Sequence, residues 1–193
     1  RELAIFPDWH VSKHLGLAPT PAQRATLDSA FRQILDSALQ QPHVYVHRDF
    51  HSRNLMVSQP NPGVLDFQGA VYGPISYDLV SLLRDAYIDW SEEQELDWAV
   101  RYWERARDAR LPVAADFGEF WRDFEWMGVQ RHLKILGIFA RLAHRDGKRD
   151  YLTDAPRVMR HLRRACDRYR APGPLLPLPD DPEASQQAPR STF

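Results

Sequence analysis

A chain of 193 residues, 44% hydrophobic and 26% charged, has the balance of one globular domain with a real core, or of one large lobe. Its formal net charge of -1 offers no basic surplus for nucleic acid, and no apolar run approaches a membrane span, so neither partner is expected. The single cysteine, Cys166, rules out an intrachain disulfide and fits a reducing cytoplasm, where the protein is expected to work.

The opening RELAIFPDWH is amphipathic and lacks a methionine, so it is read as the middle of a longer protein. Residues 1–19 are expected to enter a helix and leave through a loop. Thr20 then caps a helix with Pro21 in its first turn and Leu27, Phe31, Ile34, Leu35 and Ala38 as its apolar stripe, ended by Pro42. HVYVH and NLMVS read as short strands around a polar His-Arg-Asp loop. PNPG is a turn and VLDF a further short strand.

After Pro74 the pattern is helical. SYDLVSLLRDAYIDW predicts one helix, and Ser91 with Gln94 forms a capping box for the next. Asp116 and Glu119 repeat that device ahead of a long helix, and a last helix runs from about 154–156 to Tyr169. Trp98, Trp103, Trp121 and Trp126 are read as core. The stretch 171–193 is Pro-rich and polar and is expected to be a disordered tail. The fold class is therefore α+β, mostly helical, with a few short strands carrying the polar loop.

That loop, HRDFHSRN, carries the chemistry. Phosphoryl transfer needs a carboxylate to orient an acceptor hydroxyl, and metal ions to neutralise phosphate charge. Asp49 would take or orient the hydroxyl proton. Asn54, five residues on, offers an amide oxygen to Mg²⁺, and Asp66 in VLDF a carboxylate. His47 is read as a buried support that holds the loop through hydrogen bonds to backbone. His43, His47 and His51 recur every four residues, which on a helix would stack zinc ligands. The strand-like VYV between them sets that reading aside.

With these residues in place, VHRDFHSRNLMV followed by GVLDFQGAVYGPISYDLVSLL resembles the catalytic segment of the aminoglycoside phosphotransferase and choline kinase family, relatives of protein kinases. The resemblance covers residues 1 to about 170. It implies the C-terminal lobe of a protein-kinase-like fold using ATP and Mg²⁺, with Asp49 as base, Asn54 and Asp66 as metal ligands, and Asp78 tethering the catalytic loop. Arg48 stands where that family usually has Gly, and Gln68 follows the Asp-Phe pair. Only residues 67–77 separate Asp66 from Asp78, too few for the segment on which protein kinases dock peptides.

The flanks look most like the bacterial amino-sugar kinases of that family, which act on the anomeric hydroxyl of N-acetylmuramate and N-acetylglucosamine. The expected partners are thus a small sugar and a nucleotide, with an aminoglycoside or other alcohol as the alternative acceptor. A non-catalytic kinase-like module is the alternative role. Arg84, Asp85, Arg131 and His132 are candidate sugar-binding residues, their mixed charge suiting a neutral or anionic sugar over a polyamine. As an alternative, the same four read as solvated helix faces. No G-x-G-x-x-G and no strand-borne lysine precede the loop, so a separate N-terminal ATP lobe is expected to be missing from this stretch.

Overall fold

The structure is a computed structural model that describes residues 2–169, and the expected tail at 171–193 lies outside the described residues. These residues fall into two compact units. One is built from the stretches up to Phe31 and from His132 onward, the other from Arg32–Arg131. The dividing points lie inside two helices, α1 (Pro21–Gln40) and α4 (Phe117–Asp146).

Helix α1 begins where its sequence predicts. The Gln23 N–H donates to Thr20 Oγ1 at 3.3 Å, and Gln23 Oε1 accepts the Thr20 N–H at 2.9 Å, so two orphan donors are satisfied reciprocally. Leu27, Phe31, Ile34 and Ala38 are buried, whereas Leu35 is 41% exposed and forms the edge of the stripe.

In the first unit, residues 2–19 enter a helical stretch and leave through a loop, as the sequence suggests. A 3-10 turn (Glu2–Ala4) leads into a π-helical stretch (Phe6–His14). This stretch comes so close to α4 that a Cβ added to Gly137 would lie 2.8 Å from the backbone carbon of Ile5. Helix α5 (Ala155–Arg168) closes the unit, burying Val158, Leu162 and Ala165. Cys166 is enclosed there. Burial, with the charge of Asp167 adding to it, pushes its thiol up to about 12, so it stays an unreactive thiol at neutral pH.

Among the described residues, the second unit holds all the strands. Strand β1 (His43–Val46) pairs antiparallel with β4 (Val71–Pro74), and β2 (Leu55–Met56) with β3 (Gly63–Val64). Strand β4 was not anticipated. Its VYGP sequence is short and ends in proline, yet its register sets Gly73 against Val44, and a Cβ on Gly73 would meet the Val46 side chain at 3.1 Å. VLDF contributes only Val64 to a strand. Asp66 then adopts a left-handed conformation (φ +67°) and a 3-10 turn (Phe67–Gly69) follows.

Helix α2 (Tyr77–Leu83) is shorter than SYDLVSLLRDAYIDW suggests, because the backbone leaves the helical region at Arg84. Helix α3 (Glu92–Asp108) starts at the expected capping box, with the Gln94 N–H donating to Ser91 Oγ at 3.2 Å. The core of this unit gathers Val46, Val80, Leu83, Ala99, Phe120, Phe124 and Met127, with Trp98, Trp103 and Trp121 packed on it. Among the described residues, no helix is long and apolar enough to cross a membrane.

Inside this core lies an ion triad. Arg84 Nε is 3.0 Å from Glu95 Oε2 and its Nη2 is 3.1 Å from Glu125 Oε1, with all three side chains fully enclosed. The guanidinium also sits 4.9 Å from the Phe124 ring centroid. Arg84→Met would remove the cation between two buried carboxylates. The expected loss of stability is about 3–5 kcal/mol, read by urea denaturation. A loss below about 1 kcal/mol would show that the triad does not hold α2, α3 and α4 together.

Candidate catalytic loop

The polar loop between β1 and β2 is fixed from several sides within the second unit. Asp78, in the first turn of α2, accepts the backbone N–H groups of His47 at 2.6 Å and Arg48 at 2.9 Å. Arg48 itself has φ +76°, a region that costs a non-glycine residue on the order of 1–3 kcal/mol and persists only when its surroundings impose it. Arg131 Nη1 donates to the Arg48 carbonyl at 3.0 Å, and Arg48 Nη1 reaches the Gly69 carbonyl at 3.4 Å. Glycine at position 48 would meet the backbone requirement without strain. The arginine adds a link to the segment after Asp66.

Asp49, Asn54 and the Asp66–Gly69 segment are brought together by this turn. Asn54 Nδ2 donates to the Asp49 carbonyl at 2.9 Å, which fixes the orientation of the amide. The Leu65 N–H donates to the Asn54 carbonyl at 2.9 Å, continuing the β2–β3 pairing to the residue before Asp66. A Cβ on Gly69 would lie 4.0 Å from Asp49 Oδ2, so the 3-10 turn runs beside that carboxylate. The exposed Asp66 carboxylate takes a hydrogen bond from the Gln68 amide.

His47 supports the loop through its own N–H and not through its ring. The ring rests edge-on against Phe50 at 5.9 Å, and both ring nitrogens are enclosed without a hydrogen-bond partner among the described residues. His51 lies edge-on to Tyr87 at 5.6 Å, over which Arg53 stacks at 3.5 Å. Burial lowers the His51 pKa below the usual histidine value, with Arg131 and Arg53 acting the same way and Asp85 and Asp49 opposing. The ring is therefore neutral at pH 7.

The four candidate sugar-binding residues are placed otherwise than expected. Arg84 is enclosed in the ion triad. Asp85 is 2% exposed and accepts the N–H groups of Ser52 at 2.9 Å and Tyr87 at 3.1 Å, making it a second clamp on the loop. Arg131 is 5% exposed and spent on Arg48. His132 belongs to the other unit, where it is buried and stacked on His161 at 5.3 Å. None is an exposed helix face either. No sequence pattern marks the role of Asp85, because it lies beyond the end of α2 at Leu83 and reaches Ser52 only through packing.

Around the loop the same unit exposes large apolar side chains. Tyr45 is 87% exposed, Val57 97% and Phe67 71%, with Met56, Val64 and Tyr72 also open. Tyr45 and Tyr72 meet across the β1–β4 pair at 5.6 Å, and Met56 and Val64 belong to the β2–β3 pair.

Replacing Asp78 by Ala should release the loop while leaving the helices in place. Hydrogen exchange of the His47 and Arg48 amides should then speed up at least tenfold, with far-ultraviolet circular dichroism unchanged. Unchanged exchange would mean that the clamp is not what holds the turn.

The sequence model of the phosphotransferase enzyme family matches residues 1–117. The chain is 57% identical over 178 residues to the N-acetylmuramate/N-acetylglucosamine kinase of Neisseria meningitidis serogroup B, which covers 92% of this chain and 53% of that protein. It is 51% identical over 168 residues to the protein of the same name from Pseudomonas putida, covering 87% of this chain and 50% of the relative. The namesake from Caulobacter vibrioides is 37% identical over 124 residues, 62% of this chain and 32% of its own. The chain spans about half the length of the curated relatives it matches. With a family match over more than half its residues, the chain belongs to the phosphotransferase enzyme family.

Proposed function

We propose that this chain supplies the catalytic loop of an ATP-dependent kinase that phosphorylates a hydroxyl of an N-acetylated amino sugar, at the anomeric position of N-acetylmuramate or N-acetylglucosamine. The observation that carries this reading is the loop itself: Asp78 holds the turn at His47 and Arg48, so that Asp49, Asn54 and the Asp66–Gly69 segment stand together. The names of the relatives supply the acceptor.

Asp49 is the base in this reading. Half-buried beside the Phe67–Gly69 turn, its carboxylate would accept the proton of the acceptor hydroxyl as that oxygen attacks the γ-phosphorus of ATP and the bond to the bridging oxygen breaks, releasing ADP. Asn54 Oδ1 and the Asp66 carboxylate are hard oxygen donors on neighbouring backbone, a donor set that fits Mg²⁺. Bound magnesium would neutralise phosphate charge. Asp78, Asp85 and Arg131 keep the loop in shape, and neutral His51 adds no positive charge beside Asp49.

The exposed apolar side chains at Tyr45, Val57 and Phe67 suit a floor for the nucleotide base and a seat for a second lobe. In this reading residues 1–170 form the C-terminal lobe of a kinase-like fold. A Gly-rich strand pair and a phosphate-binding lysine come from sequence beyond this stretch. ATP-dependent chemistry on a small sugar would suit the cytoplasm, where ATP is made. The buried charges of Arg84, Asp85, Arg131 and His132 no longer bear on the choice of acceptor, which rests on the relatives.

Two measurements test the reading, both on the protein extended to the length of its relatives. Asp49→Asn and Asp66→Ala should each lower turnover about a thousandfold or more while the folded state persists. Near-normal rates in either variant would remove these residues from their roles. A panel of N-acetylmuramate, N-acetylglucosamine, kanamycin and choline with MgATP should show turnover of the two sugars, with the product position read by phosphorus NMR. Turnover of kanamycin or choline with the sugars inert would transfer the site to another acceptor.

A further inference from the structure

A cleft of about 410 Å³ opens between α2 and α3, within the second unit and outside the loop just described. That volume falls in the range of small-molecule sites. Leu79 and Leu83 of α2 form its apolar floor, and Trp90 and Trp98 meet edge to face at 5.0 Å as its wall. Trp98, Arg101, Tyr102 and Arg105 follow at i, i+3, i+4 and i+7, so one stripe of α3 presents an aromatic face and two guanidinium groups to the same space.

The polar groups of this cleft are unspent. The Arg105 guanidinium makes no hydrogen bond or ion pair among the described residues, and neither do the Tyr102 hydroxyl and the two indole N–H groups. Arg101 pairs with Asp97 at 2.9 Å, but both side chains are at least half exposed, and such a pair is worth little against a better-placed anion. Burial raises the Tyr102 pKa, with the charge of Asp78 adding to it, so the phenol keeps its proton and can donate. An apolar floor, two aromatic faces and a row of donors ending in two cations select a ring that carries an anion.

We propose that the cleft between α2 and α3 is a second ligand site, shaped for a small ring compound bearing a phosphate, as a sugar phosphate does. The ring lies against Trp90 and Trp98. The phosphate is held by Arg105, with Arg101 turning from Asp97 to share it and the Tyr102 hydroxyl donating a third hydrogen bond. The site leans on α2, the helix whose first turn carries Asp78, so its occupant touches the element that holds the catalytic loop. The choice of probe rests on the proposed sugar kinase activity; the site itself does not.

The test is calorimetric titration of the relative-length protein, carrying Asp49→Asn and without nucleotide. N-acetylglucosamine 1-phosphate and glucose 6-phosphate are the probes, with inorganic phosphate and neutral glucose as controls. Both sugar phosphates should bind at least tenfold more tightly than either control. Arg105→Gln should weaken them about tenfold, and the Arg101→Gln/Arg105→Gln double variant should remove the site. Both arginines are exposed, so the variants keep the fold. Binding of the 1-phosphate alone, lost in the double variant, would identify the occupant as the product of the proposed reaction and supports the site. Binding that survives the double variant, or inorganic phosphate binding as tightly as the sugar phosphates, overturns it. A failed sugar panel with intact, arginine-dependent glucose 6-phosphate binding would sink the activity and leave this site standing.

Discussion

Two backbone N–H groups pointing at one carboxylate determine the shape of the polar loop. Asp78 accepts both from His47 and Arg48, and a carboxylate with two such donors makes stronger hydrogen bonds than neutral partners would. Everything after it in the loop depends on that turn. Arg48 can occupy a left-handed conformation because the carboxylate below and the Arg131 guanidinium on its carbonyl leave the backbone no alternative. Asp49 is then presented beside the Phe67–Gly69 turn, and Asn54 closes back on the Asp49 carbonyl.

The unit around this turn spends its buried charges on geometry. Asp85 holds Ser52, Arg131 holds Arg48, and Arg84 is locked between Glu95 and Glu125. A side chain that has been taken out of water must find partners, and each of these finds a backbone group or a counter-charge from a different element. Other charges of the unit stay near solvent, among them Asp66 on the loop and Arg101 and Arg105 of α3.

This division explains what was legible in the sequence. Helix starts were legible because capping is local: Thr20 with Gln23, Ser91 with Gln94, and Asp116, whose Oδ1 accepts the Glu119 N–H at 3.0 Å. Asp49, Asn54 and Asp66 stand out in the sequence by their spacing within and after one loop, and the structure sets Asp49 beside the Phe67–Gly69 turn and bonds Asn54 to the Asp49 carbonyl. Strand β4 was not legible, since four residues ending in proline take their strand character from pairing with β1, a long-range fact. The roles of Arg84, Asp85, Arg131 and His132 were hidden for a similar reason. A charged residue in a helical pattern looks the same whether it faces solvent, a ligand or a buried partner, and only packing decides which. The end of α2 at Leu83 follows from that packing, because Asp85 must leave the helix to reach Ser52.

The Asp78 clamp also has a kinetic side. It joins residues 31 positions apart, and closing a flexible segment of that length costs roughly 3 kcal/mol of chain entropy. The capped helices on either side need no such closure, since their contacts are local. The loop therefore gains its shape only after α2 has docked against β1. In a refolding chain, helical signal should recover before the polar loop does, and Asp49 and Asn54 find their places only with that loop.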